Sequence, residues 1–173
     1  MPGAVWTNQI GLHGEDTESC QSDVTLRSAA CCSPPRAAGP SPANRTTPGP
    51  VPGLSDVVSV SAGGHHSVAL RSDGSVVAFG HNGAGQLGDG TNEQRSTPVA
   101  VSGLTDVKAV VAGYDHNVAL LRDGTVASWG FNRYGALGDG TDTSRNQPVA
   151  VTGLSGVLAV AAGWQHSLAV KAG

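Results

Sequence analysis

His66, His116 and His166 stand 50 residues apart in one register. Imidazoles could hold a metal or act as a pH switch. A residue that recurs once per repeat at one register behaves as a structural position. A repeat of chain separates each from the next, so convergence on one ion is not expected. The reading adopted is structural: each imidazole braces its own strand unit by hydrogen bonds to backbone, beside Gly63, Gly113 and Gly163. His65 and His81 occur in one copy only and read as solvent-facing.

Other chemistries fail on spacing. Asp89-Gly90-Thr91-Asn92 and Asp139-Gly140-Thr141-Asp142 resemble pieces of calcium loops. They lack three alternating oxygen ligands before the glycine, so a turn whose aspartate bonds its own backbone is expected. Gly83-Ala84-Gly85 has no following lysine or helix and is no phosphate cradle. Ser67 and His66 are neighbours on a strand, so their side chains point to opposite faces. No nucleophile elbow or carboxylate pair appears. The expectation is no enzyme, no cofactor and no metal.

Bulk properties narrow the class. Of 173 residues, 39% are hydrophobic, 13% charged and 4% aromatic, with 25 glycines. Charged residues fall well below the usual share of roughly 25%, which disfavours long salt-bridged helices. A net charge of −3 argues against a nucleic-acid partner. No apolar run suits a membrane span. Cys20, Cys31 and Cys32, an odd set, suit a reducing compartment. The start Met-Pro-Gly-Ala-Val-Trp shows no secretory pattern. These features predict a cytoplasmic location.

The elements that must position any site repeat. Gly53-Leu54-Ser55 returns as Gly103-Leu104-Thr105 and Gly153-Leu154-Ser155, at a gapless period of 50. Leu87-Gly88-Asp89-Gly90-Thr91 matches Leu137-Gly138-Asp139-Gly140-Thr141. Each unit predicts four strands, best seen as Pro98–Val101, Val107–Ala112, His116–Leu121 and Thr125–Gly130. Asp123-Gly124 predicts a type I′ hairpin, with positive φ at both residues. Gly130 to Gln147 is a long connection between units. Four antiparallel strands in a radial repeat describe a β-propeller blade. The units are 48–97, 98–147 and 148–173, so 11 strands are expected. The fold class is all-β, a partial β-propeller of about three four-stranded antiparallel blades. Residues 1–17 could hold a degenerate repeat strand; 18–47, rich in proline and serine, read as a disordered linker.

The pattern Ala-Gly-x-x-His, then Asp-Gly, then [Phe/Trp]-Gly-x-Asn-x-x-Gly-x-Leu-Gly-Asp-Gly-Thr resembles the regulator of chromosome condensation repeat family. It covers residues 48–173. The resemblance implies a β-propeller, in that family usually of seven blades, with a broad protein-binding face. It also implies a range of roles, including guanine-nucleotide exchange on a small GTPase. Two full repeats and a truncated third imply an arc, not a ring.

Where the repeats differ at a loop, function can use the difference. Tyr114-Asp115 and Trp164-Gln165 replace Gly64-His65; Phe131, Arg133 and Tyr134 replace His81, Gly83 and Ala84. Aromatic and arginine side chains favour binding hot spots, although inter-blade packing would also use them. The leading reading is a non-catalytic protein-interaction module binding through these loops. An exchange factor and an incomplete gene fragment are the alternatives. Open blade edges predict self-association. Ala4-Val5-Trp6-Thr7-Asn8 resembles a repeat's last strand, so Gly3–Asn8 is expected to pair with Ser167–Lys171 or to form a free tail.

Overall fold

The computed structural model describes residues 49–171, and within them valine- and alanine-rich segments between glycine turns form strands only. The first sheet runs β1 (Val57–Ala62), β2 (His66–Arg71), β3 (Val76–Gly80) and β4 (Arg95–Ala100), each antiparallel to its neighbour. The second repeats it as β5 (Val107–Ala112), β6 (His116–Leu121), β7 (Val126–Gly130) and β8 (Arg145–Ala150). The third pairs β9 (Val157–Ala162) with β10 (Ser167–Lys171). The result is an open arc of propeller blades.

Two apolar seams hold the arc. Val68, Leu70 and Val76 of blade one pack with Val107, Val110 and Trp129 of blade two. Val118, Leu120 and Val126 of blade two pack with Val157 and Val160 of blade three. A fully buried Val or Leu contributes about 1.5–3 kcal/mol, and no single sheet here can bury its own. Cohesion therefore lies between blades.

Several sequence expectations are corrected. The strand expected at Pro98–Val101 spans Arg95–Ala100 and pairs with β3, so it closes the preceding blade instead of opening its own. The described strands thus group as four, four and two, not four, four and three. The long connection lies inside a blade, joining β7 to β8. The Asp123-Gly124 hairpin is not type I′: Gly124 alone has positive φ, at 81°. Its amide bonds Leu121 O, and Leu121 N–H bonds Thr125 O, which makes a three-residue loop with the glycine left-handed. The expected pairing of Gly3–Asn8, and the reading of 18–47, lie outside the described residues.

Strand direction sorts the loops by end. Turns 63–65, 113–115 and 163–165 and loops 81–94 and 131–144 leave the upper end; the Asp-Gly hairpins and inter-blade connections leave the lower.

Gly113 sits in a tight turn yet has no positive φ. Crowding requires it instead: a Cβ there would press on His116 Cε1 and lie 2.5 Å from Gly163 O of the next blade. Gly113→Ala is expected to cost about 3 kcal/mol by overpacking. Gly140, left-handed with open space around it, should cost about 1 kcal/mol as Gly140→Ala. Chemical denaturation of both variants checks the ranking.

Candidate functional site

The upper loops are held by a buried asparagine. Asn82 Nδ2 donates to Thr91 O and Glu93 O, both at 3.0 Å, and its Oδ1 accepts from Leu87 N–H at 2.9 Å. Asn132 repeats the set with Thr141 O, Thr143 O and Leu137 N–H. The loop aspartates do form turns on their own backbone: Asp89 accepts from Thr91 N–H and Oγ1, and Asp139 from Thr141 likewise. At Asp139 partial desolvation pushes the carboxyl up, but bonds from Thr141 and Arg145 outweigh it and hold it at about 2. No cluster of metal-ligating side chains occurs among the described residues.

The repeat histidines tie one blade to the next, where the sequence suggested each braced its own. His66 Nε2 lies 2.8 Å from Asn117 Oδ1 of blade two. Asn117 Nδ2 donates to Gln86 O at 2.8 Å, which fixes its amide, so His66 Nε2 carries the proton and donates. The His66 Nδ1 is buried and has no hydrogen-bond partner among the described residues. Trp129 Nε1 also donates to Gln86 O, at 3.0 Å. His116 Nε2 meets Ser167 Oγ at 3.0 Å, and Ser167 Oγ donates to Ala136 O. His166, at the end of the series, is exposed. Gly63, Gly113 and Gly163 each donate their amide to the carbonyl of the histidine three residues on. Gly64 N–H bonds Tyr114 O, and Tyr114 N–H bonds Gly163 O, so the inner turns are stitched along the arc.

Across those turns runs an aromatic row. His65 packs edge-on against Tyr114 with ring centroids 5.6 Å apart, and its Nε2 lies 3.2 Å from the Tyr114 hydroxyl. Tyr114 meets Trp164 at 5.3 Å. His81 joins the far end, 6.4 Å from His65. Tyr114 is 38% exposed and Trp164 67%. A shallow depression floored by Ala62, Gly63, Ala112 and Gly113 lies beside the row.

The expected partner-binding residues divide into two groups. Tyr114 and Trp164 are in the row, with exposed Gln165 next to it. Asp115 is half-buried and accepts from Gln86 Nε2 at 2.9 Å, so it anchors the loop of blade one. Phe131 and Tyr134 form a second pair, 6.2 Å apart, on the loop of blade two, with Arg133 exposed between them. Sequence reasoning missed His65, which is half-buried in the row and not solvent-facing, and Gln86, the hub of the blade-one interface. Their absence from the other repeats was the available signal.

Burial holds the His66 imidazole at about 4, against a hydrogen bond to Asn117 that favours its charged form. A lowered pKa means that the unfolded chain binds the proton first. Stability is then full above pH 6.5 and lost as pH falls towards 4, by up to about 3 kcal/mol from this group. Denaturant titrations at pH 7 and pH 4.5 should show the fall, and His66→Gln should shrink it. Asp139 adds its own loss only below its ordinary 3.8.

Family models described as the regulator of chromosome condensation (RCC1) repeat match residues 73–120 and 123–170, over half of the chain. A second model with the same description matches 57–86 and 107–136. Among curated proteins, the mitochondrial RCC1 domain-containing protein RUG3 of Arabidopsis thaliana is 49% identical over 43 residues, 24% of this chain and 10% of that one. The regulator of chromosome condensation of Drosophila melanogaster is 46% identical over 44 residues, 25% of this chain and 8% of that one. Among solved structures, Prp20p of Saccharomyces cerevisiae, studied for binding to Gsp1p and histones, superposes with TM-score 0.67 at 26% identity, over 76% of this chain and 35% of that one. Human WBSCR16 gives 0.65 at 26% identity, over 73% and 34%. The chain thus spans about a third of the length of these solved relatives. The repeat register, the blades and the matching models together place this chain in the regulator of chromosome condensation (RCC1) repeat family.

Proposed function

We propose that the chain is a non-catalytic protein-interaction module that binds through its upper face. The observation that carries this is the row His65, Tyr114 and Trp164, which crosses three blades and leaves its last two rings open to solvent. Rigid aromatic side chains give large contact area at low entropic cost, and they sit here on turns fixed by backbone bonds. Tyr134, 61% exposed, extends the same face. Likeness to yeast Prp20, whose structure with Kap60 is known, supports a protein partner. A reducing, cytoplasmic setting fits the cysteine usage. No helix among the described residues is long and apolar enough to cross a membrane.

Guanine-nucleotide exchange is the second reading, favoured by the likeness to Prp20p, which was studied for binding to Gsp1p. Accelerated nucleotide release from Gsp1p would support it, and unchanged release is expected.

Affinity capture followed by titration of the purified partner tests the main reading. Tyr114→Ala and Trp164→Ala should each weaken binding roughly 30-fold, the scale of a hot-spot residue, while circular dichroism stays unchanged. Wild-type affinity in the double variant would remove the upper face from consideration.

A further inference from the structure

Five side chains close a circuit on the upper face between blades one and two. Tyr114 packs against His65, and His65 against His81. His81 Nδ1 lies 3.2 Å from Gln86 Nε2, and Gln86 Nε2 donates to Asp115 Oδ1 at 2.9 Å. Asp115 follows Tyr114 in the inner turn and completes the circuit. Ala84 N–H donates to Gln86 Oε1, which turns the Gln86 amide nitrogen towards both of its other partners. His81 Nδ1 therefore accepts, and its ring stands here as a neutral imidazole.

The carboxylate of this circuit lacks a counter-charge. Asp89 and Asp139 of the upper loops pair with Arg95 and Arg145. Asp115 is half-buried and pairs with no lysine or arginine among the described residues, and its Oδ2 takes no hydrogen bond among them. Arg133, exposed on the loop of blade two, forms no ion pair with it. A partly desolvated charge without a partner is costly, and a bound cation would offset that cost.

Blade packing does not require the circuit. At the next interface the same registers hold Phe131 for His81, Ala136 for Gln86 and Gln165 for Asp115. The inner turns are stitched there all the same, by Tyr114 N–H to Gly163 O. The circuit is thus an insertion on a frame that stands without it, and all five of its residues lie inside blades one and two.

We infer that this circuit is a seat for a lysine side chain presented by a protein partner. The inference rests on the upper-face reading and adds the chemistry of what is bound. Aromatic faces attract an ammonium group, and a carboxylate beside them adds Coulomb attraction. Gln86 occupies Oδ1, so Asp115 offers one free oxygen. A compact ammonium needs only one, whereas the fork of an arginine is matched by two.

Fluorescence anisotropy on the full chain gives the test, with labelled peptides of four Gly-Lys-Ser units and their arginine and glutamate analogues. The lysine peptide should bind, and more tightly than the arginine peptide; the glutamate peptide should not bind. Asp115→Asn, which can still accept from Gln86, should weaken the lysine peptide about tenfold. Tyr114→Leu, which keeps bulk and removes the ring, should weaken it about threefold. Asp142→Asn removes an exposed carboxylate outside the circuit and should change affinity less than about twofold. A lysine peptide that does not bind, an arginine peptide that binds more tightly, no loss in Asp115→Asn, or equal losses in Asp115→Asn and Asp142→Asn would each overturn the seat. Partner capture that fails in Tyr114→Ala and Trp164→Ala but survives in Asp115→Asn overturns the seat while the upper face stands; capture unchanged in all three overturns both. If Asp115→Asn alters the circular dichroism, the side-chain amide resonance of wild-type Gln86 decides: a shift on adding the lysine peptide supports the seat, and no shift overturns it.

Discussion

The contact on which the molecule depends is the buried hydrogen bond from one blade's histidine to the next blade's asparagine or serine. Around it the chain gathers everything that neighbouring sheets must agree upon. Asn117 turns its Oδ1 towards His66 because its Nδ2 donates to Gln86 O, and the next residue's amide, Leu87 N–H, is held by Asn82. Trp129 fills the remaining space and donates to the same carbonyl. An unpaired buried polar group costs about 1–3 kcal/mol, so each of these groups requires the others. Apolar packing supplies the adhesion between blades, and this network supplies their register.

Register matters because the candidate binding surface is composite. Tyr114 and Trp164 are 50 residues apart in sequence and 5.3 Å apart as rings. Nothing local places them together. The glycines beneath them allow neighbouring turns to approach until their backbones bond, and the rings then stack along the arc. The side chains suited to recognition thus sit on the most constrained backbone of the upper face.

Much of this was legible in the sequence. The 50-residue period, the positions of most strands and the aspartate turns follow from residue type and spacing. What was not legible shares one cause: it depends on which unit a segment touches, and a perfect repeat is silent on that. The segment Arg95–Ala100 recurs at a fixed offset from both the strand before it and the strand after it, so periodicity could not assign it to β3. His66 likewise was expected to bond its own blade, and its partner Asn117 lies in the next. The crowding that requires a glycine at position 113 comes from Gly163, a whole repeat away, which no local pattern reports. The Asp123-Gly124 hairpin was misjudged locally, since a two-residue and a three-residue loop can share the Asp-Gly signature.

The upper loops divide into frame and insert. In each, asparagine, aspartate and threonine fix the ends and the middle, and these residues are the same in both copies. Between them lie two short stretches, Gly83-Ala84 against Arg133-Tyr134 and Asn92-Glu93-Gln94 against Asp142-Thr143-Ser144. Asn92 and Ser144 each bond the loop backbone and Glu93 pairs with Arg95, but the other side chains there stand outside the frame, so mutation can rewrite them while the blade persists. The arrangement works like a type case in printing: the slots are cast once, and the characters set into them can spell a different surface on every blade.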